Sequence, residues 1–149
     1  MEKPKIMIID DMAFELDVCT TYLEDKYEVF TATSAKNMLK ILENITPDVM
    51  LLDVMMPGIN GYEAARMLKA EKRYCEIPII MISGLSDVES EVEGFAVGAS
   101  DYLYKQIRKE HLIHRIKVQL MLRQHQIETK AIHSELIAIS KNKKESEVI

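Results

Sequence analysis

Three acids, a serine and a lysine each stand at the end of a short apolar run. Ile6-Met7-Ile8-Ile9 ends in Asp10-Asp11, and Val49-Met50-Leu51-Leu52 ends in Asp53. The run from Ile77 to Ile82 ends in Ser83, and Asp101-Tyr102-Leu103-Tyr104 ends in Lys105. If the runs are strands of one open parallel sheet, these residues share its carboxyl edge, where ligand sites form in such folds. Carboxylate oxygens suit a hard divalent cation. A carboxylate can also be a nucleophile that becomes an aspartyl phosphate. A hydroxyl and an ammonium nearby would meet phosphoryl oxygens. The chemistry on offer is the joint holding of a cation and a phosphoryl group.

Each residue has an ordinary reading as well. Adjacent acids such as Asp10-Asp11 repel one another without a cation, but they are also favoured at a helix N-terminus. Asp53 could cap a turn, Ser83 could be a loop serine beside Gly84, and Lys105 could be a solvated surface lysine. After Asp53, Met56-Pro57-Gly58-Ile59-Asn60-Gly61 argues for a shaped loop, because proline fixes the backbone and glycine frees it.

The elements that must position these groups follow from the spacing of apolar residues. The runs are short and rich in branched residues, as buried parallel strands are. Tyr27 to Thr31 reads as a further strand. Phe14, Leu16, Val18, Tyr22 and Leu23 suit a first helix. Ser34 can cap a helix carrying Met38, Leu39, Ile41 and Leu42. Asn60 with Glu63, and Ser86 with Glu89, have the spacing of helix caps. Leu112, Ile113 and Ile116 open a last helix. The order βαβαβαβαβα predicts a doubly wound α/β sheet with helices on both faces.

Composition narrows the class. A chain of 149 residues is long enough for one domain and an extension. No apolar run approaches the roughly 20 residues of a membrane span, and Ile6 to Ile9 is too short for a signal peptide. Cys19 and Cys75 lack metal-like spacing and read as reduced thiols, so a cytoplasmic location is expected. Residues 1–104 carry 19 acidic and 9 basic side chains, whereas residues 105–149 carry 5 acidic and 10 basic. An acidic body is therefore followed by a basic tail.

Taken together, the site residues and their order resemble the receiver domain of two-component response regulators, the chemotaxis-receiver-like family. The matching elements are Asp10-Asp11, Asp53 within Leu51-Leu52-Asp53-Val54-Met55-Met56-Pro57-Gly58, Gly61, Ser83-Gly84, Gly98-Ala99-Ser100-Asp101-Tyr102, and Lys105. The likeness covers about residues 3–120. It implies a flavodoxin-like five-stranded sheet of order 2-1-3-4-5 and a switch that accepts phosphate from a phosphohistidine donor. Asp53 would be the phosphoacceptor. Asp10, Asp11, Asp53 and the Met55 carbonyl would hold Mg2+ or Mn2+. Ser83 would be the hydroxyl switch, Tyr102 the aromatic that follows it, and Lys105 the phosphoryl partner. Met55 and Leu85 would flank the path of hydrolytic water and tune the lifetime of the phosphoryl group. Partners would be a sensor histidine kinase or phosphotransfer protein, and a downstream effector or an output domain in a longer parent chain. Such a chain is no enzyme beyond its own phosphoacceptance and slow self-dephosphorylation. One departure stands out: Gln106 follows the lysine where the family usually has proline. A cis peptide before a non-proline residue costs roughly 2.5–4 kcal/mol, so a trans bond and a differently shaped loop are expected.

Residues 3–122 are expected to form the receiver and 123–149 a helical extension or linker, with Lys141 to Ile149 a frayed polar terminus. A 4-3 spacing picks out Val118, Leu122, His125, Thr129, Ile132, Leu136 and Ile139 as a candidate homodimer seam, with a polar middle. The other reading is a solvated helix. Nucleic-acid binding is not expected, since no docking motif and no aromatic residue follows Tyr104. His111, His114, His125 and His133 lack partners for a metal site and should face solvent. Two other functions compete. A haloacid-dehalogenase-like phosphotransferase would want an acid two residues after the nucleophile, where Met55 stands. A phosphorylation-independent receiver-like interaction module is favoured only by Gln106.

Overall fold

The computed structural model describes residues 2–147 apart from Ser86. Five strands alternate with five helices. They are β1 (Lys5–Ile9), α1 (Ala13–Leu23), β2 (Glu28–Ala32), α2 (Ala35–Leu42), β3 (Val49–Asp53), α3 (Gly61–Ala70), β4 (Ile79–Ser83), α4 (Val88–Ala96), β5 (Asp101–Tyr104) and α5 (Lys109–Glu147). All strand pairs are parallel, as the apolar runs predict, and the sheet order is β2-β1-β3-β4-β5, as the family resemblance implies.

The runs become strands because both sheet faces are covered. Every residue of β3 and β4 is buried, which is why they read as unbroken apolar stretches and not as alternating ones. Side chains alternate between two cores. Met7, Ile9, Met50, Leu52, Ile79 and Met81 pack on one face with α2 and α3, and Ile6, Ile8, Leu51, Ile80 and Ile82 pack on the other with α1 and α5. Ile77 and Pro78, predicted to open the fourth strand, precede it.

Local chemistry ends and starts the helices. The Asn37 amide donates to the Ser34 hydroxyl oxygen, and the Glu63 amide donates to the Asn60 side-chain oxygen. At α4 the Asp87 carboxylate accepts from the Ser90 amide and hydroxyl. Asp87 is therefore the cap there; Ser86, expected in that role, lies outside the described residues. The same helix ends where Gly98 turns to φ +105. The Gly98 amide donates to the Phe95 carbonyl and the Ala99 amide to that of Gly94, closing the helix through a left-handed residue. The Ser100 amide then donates to the Ile79 carbonyl and starts β5.

In α1 the buried residues are Leu16, Cys19 and Leu23. Phe14, read as part of the apolar face, is 74% exposed. At about 100° per residue Phe14 lies on the side of the helix opposite the face that Leu16, Cys19 and Leu23 form, so it stands in solvent. The four histidines are exposed, as expected. Helix α5 spans about 58 Å at 1.5 Å per residue. Leu112, Ile116 and Gln119 are buried in its first third, and it continues as helix through Lys141 to Glu147. No helix among the described residues is long and apolar enough to cross a membrane.

Candidate functional site

Strand register brings the site together. Leu52 of β3 pairs with Ile9 of β1, so Asp53 and Asp10 follow on adjacent strands. Asp53 pairs with Ile82, one residue before Ser83. The Lys105 amide donates to the Ser83 carbonyl and brings the lysine in from the far side. Asp10, Asp11 and Asp53 each present a carboxylate oxygen, and these oxygens lie within 4.8 Å of one another. Asp10 and Asp53 are buried, and Asp11 is half-buried.

Among the described residues, one ammonium serves this cluster. Lys105 Nζ lies 3.2 Å from Asp10 Oδ2 and 3.3 Å from Asp53 Oδ2. Asp53 Oδ1 accepts from the Met55 amide at 3.2 Å, and Asp10 Oδ1 accepts from the Met12 amide at 2.9 Å. These bonds fix the carboxylates but do not neutralise them. Burial, and then the Asp10 charge, push the Asp53 carboxyl up to about 7, with Lys105 pulling the other way. Burial works against the Lys105 ammonium, but Asp53 and Asp10 outweigh it and hold its pKa above the ordinary lysine value. Three carboxylates facing one ammonium form a hard, oxygen-rich, electron-rich pocket. That donor set fits Mg2+ or Mn2+.

The Lys105–Gln106 peptide is cis, which corrects the expectation of a trans bond. Local propensity spoke for trans. It took no account of the contacts that hold Lys105, namely the Ser83 carbonyl behind it and two carboxylates ahead. Gln106 therefore does not displace the lysine from the site.

Ser83 and Tyr102 meet through a single residue between them. The Leu85 amide donates to Ser83 Oγ at 2.9 Å, and the Tyr102 hydroxyl donates to the Leu85 carbonyl at 3.2 Å. Ser83 is fully buried and Tyr102 is buried with its ring edge against Gly94. Of the two residues expected to flank the water path, Met55 is 61% exposed and Leu85 is half-buried against the core. Met12 and Phe14 are also exposed, so apolar side chains stand beside the acids.

The loop after Asp53 depends on close backbone approach. The Gly61 amide donates to the Val54 carbonyl at 2.9 Å. A Cβ at Gly61 would lie 2.2 Å from the Asp53 carbonyl oxygen and 2.7 Å from Val54 Cα.

Several supporting groups have no signature in the sequence. Lys69 donates to the Cys75 and Ile77 carbonyls at 2.9 Å each, tying the end of α3 to the entry of β4. Arg115 donates to both Asp101 oxygens at 3.1 and 3.0 Å. Glu76 pairs with Arg123 at 3.3 Å and with Lys130. Each joins residues far apart in the chain or in an irregular loop, where no periodicity exists to read. Cys19 is buried beside the site, and burial together with Glu15 and Asp10 pushes its thiol up to about 11, which makes it a poor nucleophile.

A doubly wound sheet with an acid cluster, a lysine and a buried serine at its carboxyl edge defines a class of α/β protein whose edge site has the donors to hold a cation and a phosphoryl group together. The family model of the response regulator receiver domain matches residues 6–117. The chain belongs to that family. It is 31% identical over 135 residues to the DNA-binding dual master transcriptional regulator RpaA of Synechocystis, covering 90% of this chain and 56% of the relative. It is 35% identical over 112 residues to the response regulator SaeR of Staphylococcus aureus, covering 74% and 48%. Among solved structures, the chemotaxis protein CheY4 of Vibrio cholerae superposes with a TM-score of 0.76 at 29% identity, covering 79% of this chain and 99% of that one. The chain thus spans about half the length of these two curated relatives, and nearly all of the CheY4 chain aligns with it.

Proposed function

We propose that this protein is a phosphorylation-activated switch of a two-component system, taking a phosphoryl group from a phosphohistidine donor onto Asp53. The observation that carries the reading is the buried Asp53 carboxylate, clasped by Lys105 and placed beside Asp10 and Asp11. An Asp53 oxygen attacks phosphorus, the O–P bond forms, the N–P bond of the donor breaks, and the imidazole nitrogen keeps the electron pair. Asp10, Asp11, Asp53 and the Met55 carbonyl are assigned to Mg2+ or Mn2+, whose charge, when bound, offsets that of the carboxylates and phosphoryl oxygens. Lys105 orients a phosphoryl oxygen from the opposite side. Exposed Met12 and Phe14 give a donor protein an apolar surface next to the nucleophile. A sensor kinase or phosphotransfer protein in the cytoplasm fits that role.

The signal leaves through Leu85. Drawing Ser83 Oγ toward a phosphoryl oxygen breaks its bond from the Leu85 amide. The same residue's carbonyl holds the Tyr102 hydroxyl, so the serine and tyrosine are coupled through one peptide segment. Release of Tyr102 alters the surface of α4 and β5, a two-position element of the kind switches use. Residues 3–122 act as the receiver, and 123–149 as the extension that carries the signal to a partner, a second copy or an output domain.

Met55 and Leu85 are assigned to the lifetime of the phosphoryl group, because neither side chain can orient an attacking water. The test loads the chain with acetyl phosphate and Mg2+, removes the donor and follows the phosphate. A Met55→Asn, Leu85→Glu double variant is expected to lose it about tenfold faster, equivalent to about 1.4 kcal/mol of barrier. An unchanged half-life removes the lifetime role; failure of the wild-type chain to load at all contradicts the switch itself.

A further inference from the structure

We propose that the groove between the end of α3 and α5, at the amino edge of the sheet, binds a small organic phosphomonoester, with its phosphate on Lys69 and Arg123 and with Gln119 as the neutral hydrogen-bonding group. Pro78 and Ser100, which line this groove, directly precede β4 and β5. It therefore lies at the opposite end of the sheet from Asp53. At about 3.3 Å per residue, about 16 Å of strand separates Pro78 from Ser83. Nothing in the phosphoacceptor chemistry uses this end of the molecule.

Gln119 is the first sign of a ligand. It is 5% exposed and lines the groove, yet among the described residues its side chain has no hydrogen-bond partner. No fully enclosed polar side-chain atom among the described residues lacks a partner. The Gln119 amide is therefore open to the groove and not sealed in the core. A buried amide costs stability unless something bonds to it, and a ligand group in the groove can do so.

Lys69 is the second sign. Its ammonium donates to the Cys75 and Ile77 carbonyls, which are neutral, and among the described residues it forms no ion pair. Burial pulls its pKa below the ordinary lysine value, and Arg123 adds to that pull against Cys75 and Glu76. A half-buried cation without a counter-charge is a place for an anion. The ammonium is also held in place before any ligand arrives. A Cβ at Gly98 would lie 2.8 Å from Lys69 Cγ, so the stem is pinned against that turn. One N–H of Lys69 and most of the five on Arg123 remain for a ligand.

Charge and size select the class. Lys69, Arg123 and Lys130 face the groove with one carboxylate, Glu76, an excess of two positive charges on a body that carries 19 acidic and 9 basic side chains. A phosphomonoester carries about −1.5 to −2 at pH 7, with three acceptor oxygens. The groove holds about 510 Å³, within the range of about 300–1,000 Å³ for small-molecule sites. That is far more than a phosphate fills, and Pro78 and Leu122 give the organic part apolar wall. A ligand there joins Lys69 of the body to Arg123 of α5, beside the contact that Glu76 already makes.

The test is calorimetric titration of the full chain with inorganic phosphate, AMP and glucose 6-phosphate in metal-free buffer at fixed ionic strength. Without a cation the acids at the other edge repel these probes. Saturable binding of at least one ester, tighter than that of inorganic phosphate, is expected, with a shift of the Gln119 side-chain amide in the NMR spectrum. Arg123→Gln and Gln119→Leu should each weaken it about tenfold or more. Lys117→Gln, the same charge change on an exposed part of α5 outside the groove, should leave it unchanged. Arg123 is on the surface, so its variant reads the site even if Gln119→Leu does not fold. No binding of any probe up to about 10 mM, or binding that Arg123→Gln leaves unchanged or Lys117→Gln weakens equally, overturns the proposal. Inorganic phosphate binding as tightly as both esters overturns the organic part of the ligand.

Discussion

Asp53→Asn is expected to melt at a higher temperature than the wild-type chain in metal-free buffer at pH 8, and the difference should vanish near pH 4. Burial and the Asp10 charge raise the folded-state pKa of Asp53 from 3.8 to about 7. Between those values the folded chain holds a proton that the unfolded chain has released. The stabilisation from this group is complete below about pH 4 and is lost as pH rises through about 7. At about 1.4 kcal/mol per pH unit the ceiling is about 4 kcal/mol. Asparagine keeps the Oδ1 acceptor for the Met55 amide and leaves Lys105 paired with Asp10. Mg2+ at millimolar concentration should raise the wild-type melting temperature, because it binds the folded state, and should close much of the gap. Asp11→Asn should lose most of that Mg2+ gain. Calorimetric scans from pH 4 to 8 with and without Mg2+ check all three. A pH-independent difference between Asp53→Asn and wild type, or no effect of Mg2+, contradicts this electrostatic picture.

Gly61→Ala is expected to destabilise the chain by about 3 kcal/mol and to weaken phosphoacceptance with it. The new methyl would meet the Asp53 carbonyl oxygen, the Asp53 carbonyl carbon and Val54 Cα, all backbone atoms inside 3 Å. Overpacking of a tight site costs typically 1–3 kcal/mol and more where nothing can yield. Backbone on a central buried strand yields little. Either α3 shifts away or the end of β3 moves, and the second displaces the nucleophile. Urea titration with a phosphate-loading assay reads both effects. Loss below about 1 kcal/mol would show that α3 floats freely over the loop.

The residues at the carboxyl edge were legible because parallel strands buried on both faces announce themselves as apolar runs. Wherever such a run ended, the next residue was at the edge. Asp10, Asp53, Ser83 and Lys105 could therefore be placed from the runs alone, and Gly61 closes the shaped loop that the residues after Asp53 suggested. Legibility failed where geometry depends on contacts distant in sequence. The cis bond after Lys105 went against local propensity. The Leu85 bridge uses backbone groups that any residue would supply. The Glu76 clasp on α5 joins residues about fifty positions apart, and exposed Phe14 followed an apolar pattern that the sheet does not reach.

Mass measurement of the intact chain after incubation with acetyl phosphate reads the nucleophile directly. With Mg2+ the wild-type chain should gain one phosphoryl group, without a divalent cation none, and Asp53→Asn none under either condition. Equal labelling of Asp53→Asn and wild type, or labelling that ignores the metal, would contradict the assignment of Asp53 as the phosphoacceptor.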